Sequence, residues 1–149
     1  MDNWTLKRKI DNYENMIDDR RQDIQNYNRR IISLTSEKVK LVSMQSDTES
    51  FYTSKRQKCT TLLSSVRGRA SQGSLNKCLE LYSVANGNYI SGRLLDMKQY
   101  VNLNIHKLKE MIEEAENDIL RYQSSIQSCN REIADIERRE REDAEFNSK

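Results

Sequence analysis

Apolar residues recur at heptad spacing in two separate stretches of this sequence, and no proline interrupts either stretch. The first stretch, residues 6–41, contains two series of positions that each recur every seven residues, one mostly isoleucine and the other mostly leucine and tyrosine. The series are Ile10, Ile17, Ile24, Ile31 and Lys38, and Leu6, Tyr13, Arg20, Tyr27, Leu34 and Leu41. Two series offset by three or four residues are the a and d positions of a coiled-coil helix. The first stretch therefore predicts one long helix.

The second stretch, residues 101–136, repeats this pattern over the same length. Its series are Ile105, Ile112, Ile119, Ile126 and Ile133, and Val101, Leu108, Ala115, Tyr122, Cys129 and Ile136. Residues 1–41 carry 9 basic and 7 acidic side chains, whereas residues 101–149 carry 8 basic and 12 acidic ones. Opposite net charges favour pairing the two helices with each other, although a parallel homodimer on each stripe stays open. The expected arrangement is an antiparallel coiled coil in which Ile24 lies near Tyr122 or Ala115.

Polar residues interrupt the first stripe at Arg20 and Lys38. One interpretation is that their stems are buried while their charged heads reach water. The other is that polar residues at a and d positions fix the register or the choice of partner. The sequence favours neither.

The middle segment, residues 42–100, differs because it holds all four glycines, between Gly68 and Gly92. Since glycine is the main helix breaker in a proline-free chain, we expect the turns there. The pattern predicts a helix over 47–66, a loop over 68–73, and a helix over 75–85 with Ser74 as its N-cap. A second break over 86–92 then precedes the final long helix. The expected fold is all-α: an elongated antiparallel coiled-coil hairpin with two shorter helices in its middle segment, in one domain covering 1–149 (6–41, 42–100 and 101–140).

Composition and motifs argue against an enzyme. With 36% hydrophobic and 32% charged residues, such a chain can hardly enclose a deep pocket. Cys59, Cys78 and Cys129 match neither a zinc spacing nor a CxxC pair, so reduced thiols are expected. His106, the one histidine, falls on the solvent side of its heptad and belongs to no motif with metal-ligand or catalytic spacing. We expect no catalytic residue, no metal and no cofactor.

No membrane partner is expected, because no apolar run approaches the roughly 18 residues of a membrane span. The N-terminal residues MDNWTLKRKI lack the apolar region of a secretory signal. The expected location is the cytoplasm, or outside the cell by a route that needs no signal peptide.

Residues 42–100 carry 8 basic and 4 acidic side chains, which suggests a contact with nucleic acid or with an acidic protein. The basic residues are dispersed and few aromatic residues lie among them, so nucleic acid is the less favoured partner. Four aromatic residues of this segment have no place in the long-helix stripes: Phe51, Tyr52, Tyr89 and Tyr100. We predict that they bind a protein partner.

The terminal heptad segments, IDNYENMIDDRRQDIQNYNRRI (10–31) and IEEAENDILRYQSSIQSCNREI (112–133), flank a glycine-punctuated middle. This architecture resembles the small accessory proteins of LXG toxins in type VII secretion, which share the style of WXG-type helical hairpins. The resemblance implies a non-enzymatic adaptor or targeting chaperone. Its implied partners are the helical N-terminal domain of such a toxin and a second small helical protein. The alternatives are a self-assembling coiled-coil scaffold, for which a homo-oligomer is expected, and a nucleic-acid accessory protein.

Overall fold

The computed structural model describes residues 2–147, which form three helices and no strand. Helix α1 covers Asn3–Ser65, α2 covers Arg69–Leu81 and α3 covers Val84–Asn147. No described helix is long and apolar enough to cross a membrane. The predicted all-α class is confirmed.

Local hydrogen bonds explain where the helices begin and end. The Asp2 carboxylate accepts a hydrogen bond from the backbone N–H of Thr5 at 2.8 Å, which caps α1. Hydrogen bonds from Thr5 lower the pKa of Asp2. At the C-terminal end of α2, the side-chain amide of Asn86 donates hydrogen bonds to the carbonyl oxygens of Glu80 and Leu81. These two carbonyls lie in the last turn of α2, where intrahelical donors run out.

The predicted breaks of the middle segment are mostly wrong. Helix α1 continues without interruption through residues 42–47, so the expected separate helix over 47–66 is its last part. Residues 69–73, predicted as a loop, form the start of α2. Ser74 lies inside that helix, where its hydroxyl donates to the carbonyl of Ala70, and it is not an N-cap. The predicted break over 86–92 lies within α3. The middle segment therefore contains one short helix instead of two.

Glycine misled the prediction because its cost inside a helix is only about 1 kcal/mol, which packing can override. Among the described residues, only Gly68 has a positive φ, at 125°. It is the N-cap of α2 and the point where the chain turns. Gly87 lies where α1 and α3 approach each other: a Cβ there would make an ordinary van der Waals contact with the Tyr52 ring at 3.4 Å.

The two heptad stripes are the least exposed faces of the long helices. Every stripe residue of 6–41 and 101–136 is buried or half-buried. Leu6, Leu108 and Ala115 are the most deeply buried, with at most 4% of their surface exposed. The sequence pattern thus identifies the side chains that pack.

Contacts divide the chain into two units, and both long helices contribute to each of them. Unit 1 contains the described residues up to Arg30 and from Lys107 onward, and unit 2 contains Ile31–His106. Within unit 1, Tyr13 stacks on Tyr122 with ring centroids 6.0 Å apart. Arg20 Nε lies 3.2 Å from a carboxylate oxygen of Asp118. Advancing along α1 from Tyr13 to Arg20 therefore means moving back along α3, as antiparallel helices require.

Candidate partner-binding surface

Phe51 and Tyr52, two of the predicted binding residues, belong to one aromatic cluster in unit 2. Their rings meet each other and the ring of Tyr82 edge to face, with centroids 5.8 to 6.0 Å apart. Tyr82 is the C-cap residue of α2. Edge-to-face pairs of this kind contribute about 0.5–1.5 kcal/mol each. The cluster therefore fastens α2 to α1, which gives Phe51 and Tyr52 a structural role that the sequence did not reveal.

Phe51 nevertheless keeps part of its ring accessible. Its side chain is 49% exposed, and the Lys55 ammonium lies 5.5 Å from the ring centroid. Tyr52 is only half-buried but turns its ring toward Gly87. Of this pair, Phe51 is the residue that still offers surface to another molecule.

Tyr89 and Tyr100 lie elsewhere, on α3, and are 69% and 72% exposed. Eleven residues separate them, which is three helical turns, so both project from the same face of α3. No aromatic contact within residues 2–147 involves either ring. The four predicted residues therefore form two surfaces of unit 2 and not a single site.

An apolar groove lies between α1 and α3 beside Tyr100. Leu34 and Leu41 line it from α1, while Met97, Tyr100 and Val101 line it from α3. Its volume is about 500 Å³, and Glu37, Arg93 and Asp96 supply the charged groups at its edge. Met97 is 54% exposed, and flexible methionine side chains are common at binding surfaces.

Met97 was not among the predicted binding residues, because only the stripe positions were expected to make apolar contacts. The available signal was an apolar residue four positions before Val101, next to the stripe. Val42, Met44 and Leu95 are likewise apolar residues directly beside a heptad position, and each is between 40% and 52% exposed. Together these residues widen the apolar surface of unit 2 beyond what the packing of two helices uses.

Polar contacts as well as apolar ones hold the two helices of unit 1 together. Arg20 donates to Asp23 at 3.0 Å and pairs with Asp118 across the helices. The hydrogen bond to Asp23 and the nearby Asp118 carboxylate raise the pKa of Arg20. Asp118 ties the guanidinium to one position of α3, as the register interpretation expects, whereas Asp23 lies on α1 itself and the Arg20 side chain remains 41% exposed.

The described residues contain no group of three or more His, Cys, Asp or Glu side chains able to hold a metal ion. Cys59, Cys78 and Cys129 are free thiols, and Cys59 and Cys129 are buried in helix faces. No protein-family model matches the chain, and no curated protein or solved structure matches it either. The surfaces of unit 2 are therefore the main guide to function.

Proposed function

We propose that this protein is a non-enzymatic adaptor or targeting chaperone that packs on a helical partner through the groove of unit 2. The observation that carries the proposal is the exposed apolar lining of that groove, above all Met97 and Tyr100. Burial stabilises a complex by about 25 cal/mol per Å² of apolar surface removed from water. Exposed methionine and tyrosine side chains are typical of helix-binding grooves.

A helix is the partner that fits best. The groove is formed by two neighbouring helices, so a third helix can insert its side chains between theirs along an apolar stripe. Glu37, Arg93 and Asp96 carry charges of both signs along the edge. Such rims select partners by charge while the apolar centre provides most of the affinity.

The finer form of the fold belongs to the same proposal: α1 and α3 pair as an antiparallel coiled-coil hairpin. Its support is the reversed order of contacts in unit 1, from Tyr13–Tyr122 to Arg20–Asp118. In unit 2, the approach of Tyr52 to Gly87 again joins α1 to α3. In an adaptor, a preformed hairpin has the advantage of presenting its groove without an ordering step on binding.

Type VII secretion is the biological setting that we propose, on the resemblance to LXG-toxin accessory proteins. The partner in that setting is the helical N-terminal domain of a toxin, together with a second small helical protein. The heptad segments 10–31 and 112–133 carry this part of the proposal.

Photo-crosslinking in the native cell tests the groove. A tagged chain with a photo-reactive amino acid in place of Glu37 is expected to capture one helical protein in fixed ratio, identified by mass spectrometry. The same group in place of Val39, which is 66% exposed, is the matched control outside the groove lining. Met97→Glu should reduce capture at position 37 at least about tenfold, because it places a charge in the apolar centre.

Two results would contradict the adaptor. If positions 37 and 39 capture the same proteins equally, the groove has no special role. If only copies of this chain are recovered, the self-assembling coiled-coil scaffold becomes the better explanation. A nucleic-acid accessory would instead show salt-sensitive binding to DNA or RNA.

A further inference from the structure

Four residues of α3 form a second regular stripe, here called the outer stripe: Tyr89, Arg93, Asp96 and Tyr100. Their spacing of four, three and four residues places them on one helix face. At 100° per residue, that face points away from the side that buries Leu94. All four side chains are exposed. An outer face with two large aromatic rings at this spacing is not explained by packing within the chain.

The outer stripe is complementary to itself. Read in either direction it runs aromatic, charged, charged, aromatic, and the two central charges have opposite sign. Suppose that two copies of α3 lie antiparallel, with a twofold axis midway between residues 94 and 95. Each Tyr89 then faces the Tyr100 of the other copy, and each Arg93 faces an Asp96. Such an isologous contact repeats every favourable pair twice.

Neighbouring residues fit the same register. With this axis, Met97 and Gly92 flank the stripe on opposite sides, so each Met97 lies opposite the Met97 of the other copy and each Gly92 opposite the other Gly92. A Cβ built at Gly92 meets nothing within 4 Å, so space is free above that residue. Met97, 54% exposed, has a flexible side chain that adapts to its neighbours. The close approach of the two helices is therefore possible where the axis passes.

The central charges are available for contacts between copies. Within residues 2–147, neither Arg93 nor Asp96 takes part in an ion pair. Arg20 and Asp23, which have the same spacing and order on α1, do pair at 3.0 Å. The Arg93 and Asp96 side chains thus lack the internal partner that this spacing provides elsewhere.

We infer that the outer stripe is a homodimer interface, in which a second copy of this chain docks antiparallel on residues 89–100 of α3. This inference goes beyond the adaptor role and does not depend on it. Arg93, Asp96 and Tyr100 also line the groove, so a second copy and a helical partner would compete for this face of α3. The stripe extends over about 16 Å. That is short for a standard interface, so we expect a dissociation constant of about 10 μM.

Sedimentation velocity of the full chain, from about 1 to about 200 μM, measures this equilibrium. The natural sequence is expected to change from monomer to dimer over that range. Arg93→Glu and Asp96→Lys each put two like-charge contacts in the interface, and each should weaken the dimer about 10- to 100-fold. Matched controls are Lys58→Glu and Asp47→Lys, which make the same charge changes at exposed positions of α1. The controls should dimerise like the natural sequence.

Mixing the two single variants provides the decisive result. In a mixed dimer Glu at position 93 faces Lys at position 96, and Asp96 faces Arg93, so both charge pairs are favourable again. We expect the equimolar mixture, and the double variant by itself, to regain the dimer. A misfolded variant would not be rescued by mixing. A natural chain that stays monomeric at the highest concentration overturns the inference and leaves the stripe to a different protein. Loss of the dimer without rescue on mixing also overturns it.

Discussion

Gly68 is the residue whose backbone is hardest to replace. Its φ of 125° lies in a region that side chains with a Cβ rarely adopt. We expect Gly68→Ala to lower the free energy of unfolding by about 1–3 kcal/mol. No atom lies within 4 Å of the added Cβ, so backbone strain is the sole cause of the loss. Urea denaturation followed by circular dichroism measures it.

Gly73 is the matched control for that substitution. It lies inside α2, and an added Cβ there also meets no atom within 4 Å. Because alanine favours a helix more than glycine does, Gly73→Ala should raise stability by up to about 1 kcal/mol. Equal losses at both positions would mean that the turn at Gly68 does not depend on its φ.

Arg20 shows how far a single residue can be interpreted from sequence. Its place in the stripe was visible, but the sequence left open whether its head reaches water or fixes the register. The sequence could not show which carboxylate of α3 lies opposite Arg20. The ion pair with Asp118 at 3.2 Å is a contact between residues 98 positions apart, which local spacing cannot reveal.

At the scale of elements, the helical segments with strongly apolar buried faces were predictable from the sequence, whereas segments with more polar buried faces were not. The stripes of 6–41 and 101–136 consist mainly of Ile and Leu, so their period is clear. In the structure several of the same heptad positions stay at least half-buried beyond these limits, although Leu62 and Val84 are exposed. Many of the half-buried positions hold polar or small residues: Gln45, Thr48, Lys55, Gly87 and Ser91. The period continues there with fewer apolar residues, which is why helix breaks were predicted.

The candidate site, too, was predictable only where local sequence was sufficient. The sequence showed that several aromatic residues of the middle segment lie outside the stripes, which predicted that they are exposed. Tyr89 and Tyr100 are exposed. The role of Phe51 and Tyr52 was not predictable, because it depends on Tyr82, about 30 residues away in another helix. The groove depends likewise on α1 and α3 coming together.

Tyr82 is the residue on which the position of α2 depends most. No residue of α2 is fully buried, and its half-buried apolar residues, Leu75, Cys78 and Leu79, are supplemented by the aromatic cluster at its end. Tyr82→Ala removes two edge-to-face pairs, worth about 1–3 kcal/mol together. We expect amide hydrogen exchange in α2 to become about 10- to 100-fold faster, with little change in residues 10–31.

Leu81→Ala is the control, because Leu81 is 59% exposed and adjacent to Tyr82 in the chain. It should leave exchange in α2 within about twofold of the natural protein. Similar acceleration by both variants would show that the aromatic cluster does not attach α2.

At the scale of the whole molecule, the proposed antiparallel pairing of α1 with α3 can be tested in each unit by itself. Each unit supplies its own test, and neither test assumes how the units are arranged. In unit 2, a Cβ at Gly87 would lie 3.6 Å from the Cβ of Tyr52, within the range that disulfides require. Tyr52→Cys with Gly87→Cys should therefore form a disulfide within one chain.

In unit 1, the test distinguishes two registers that differ by one heptad. Because Tyr122 stacks on Tyr13, it lies about 16 Å along the helix from Ile24. Ala115 lies beyond Asp118 in the direction of Ile24, as the Arg20–Asp118 pair requires. With native thiols replaced by alanine, Ile24→Cys with Ala115→Cys should be joined by a short bismaleimide within one chain, whereas Ile24→Cys with Tyr122→Cys should not. Denaturing gels and mass spectrometry separate linked single chains from linked pairs. A crosslink between positions 24 and 122 would show that the register differs from the proposed one by one heptad. Crosslinks found only between chains would rule out the hairpin.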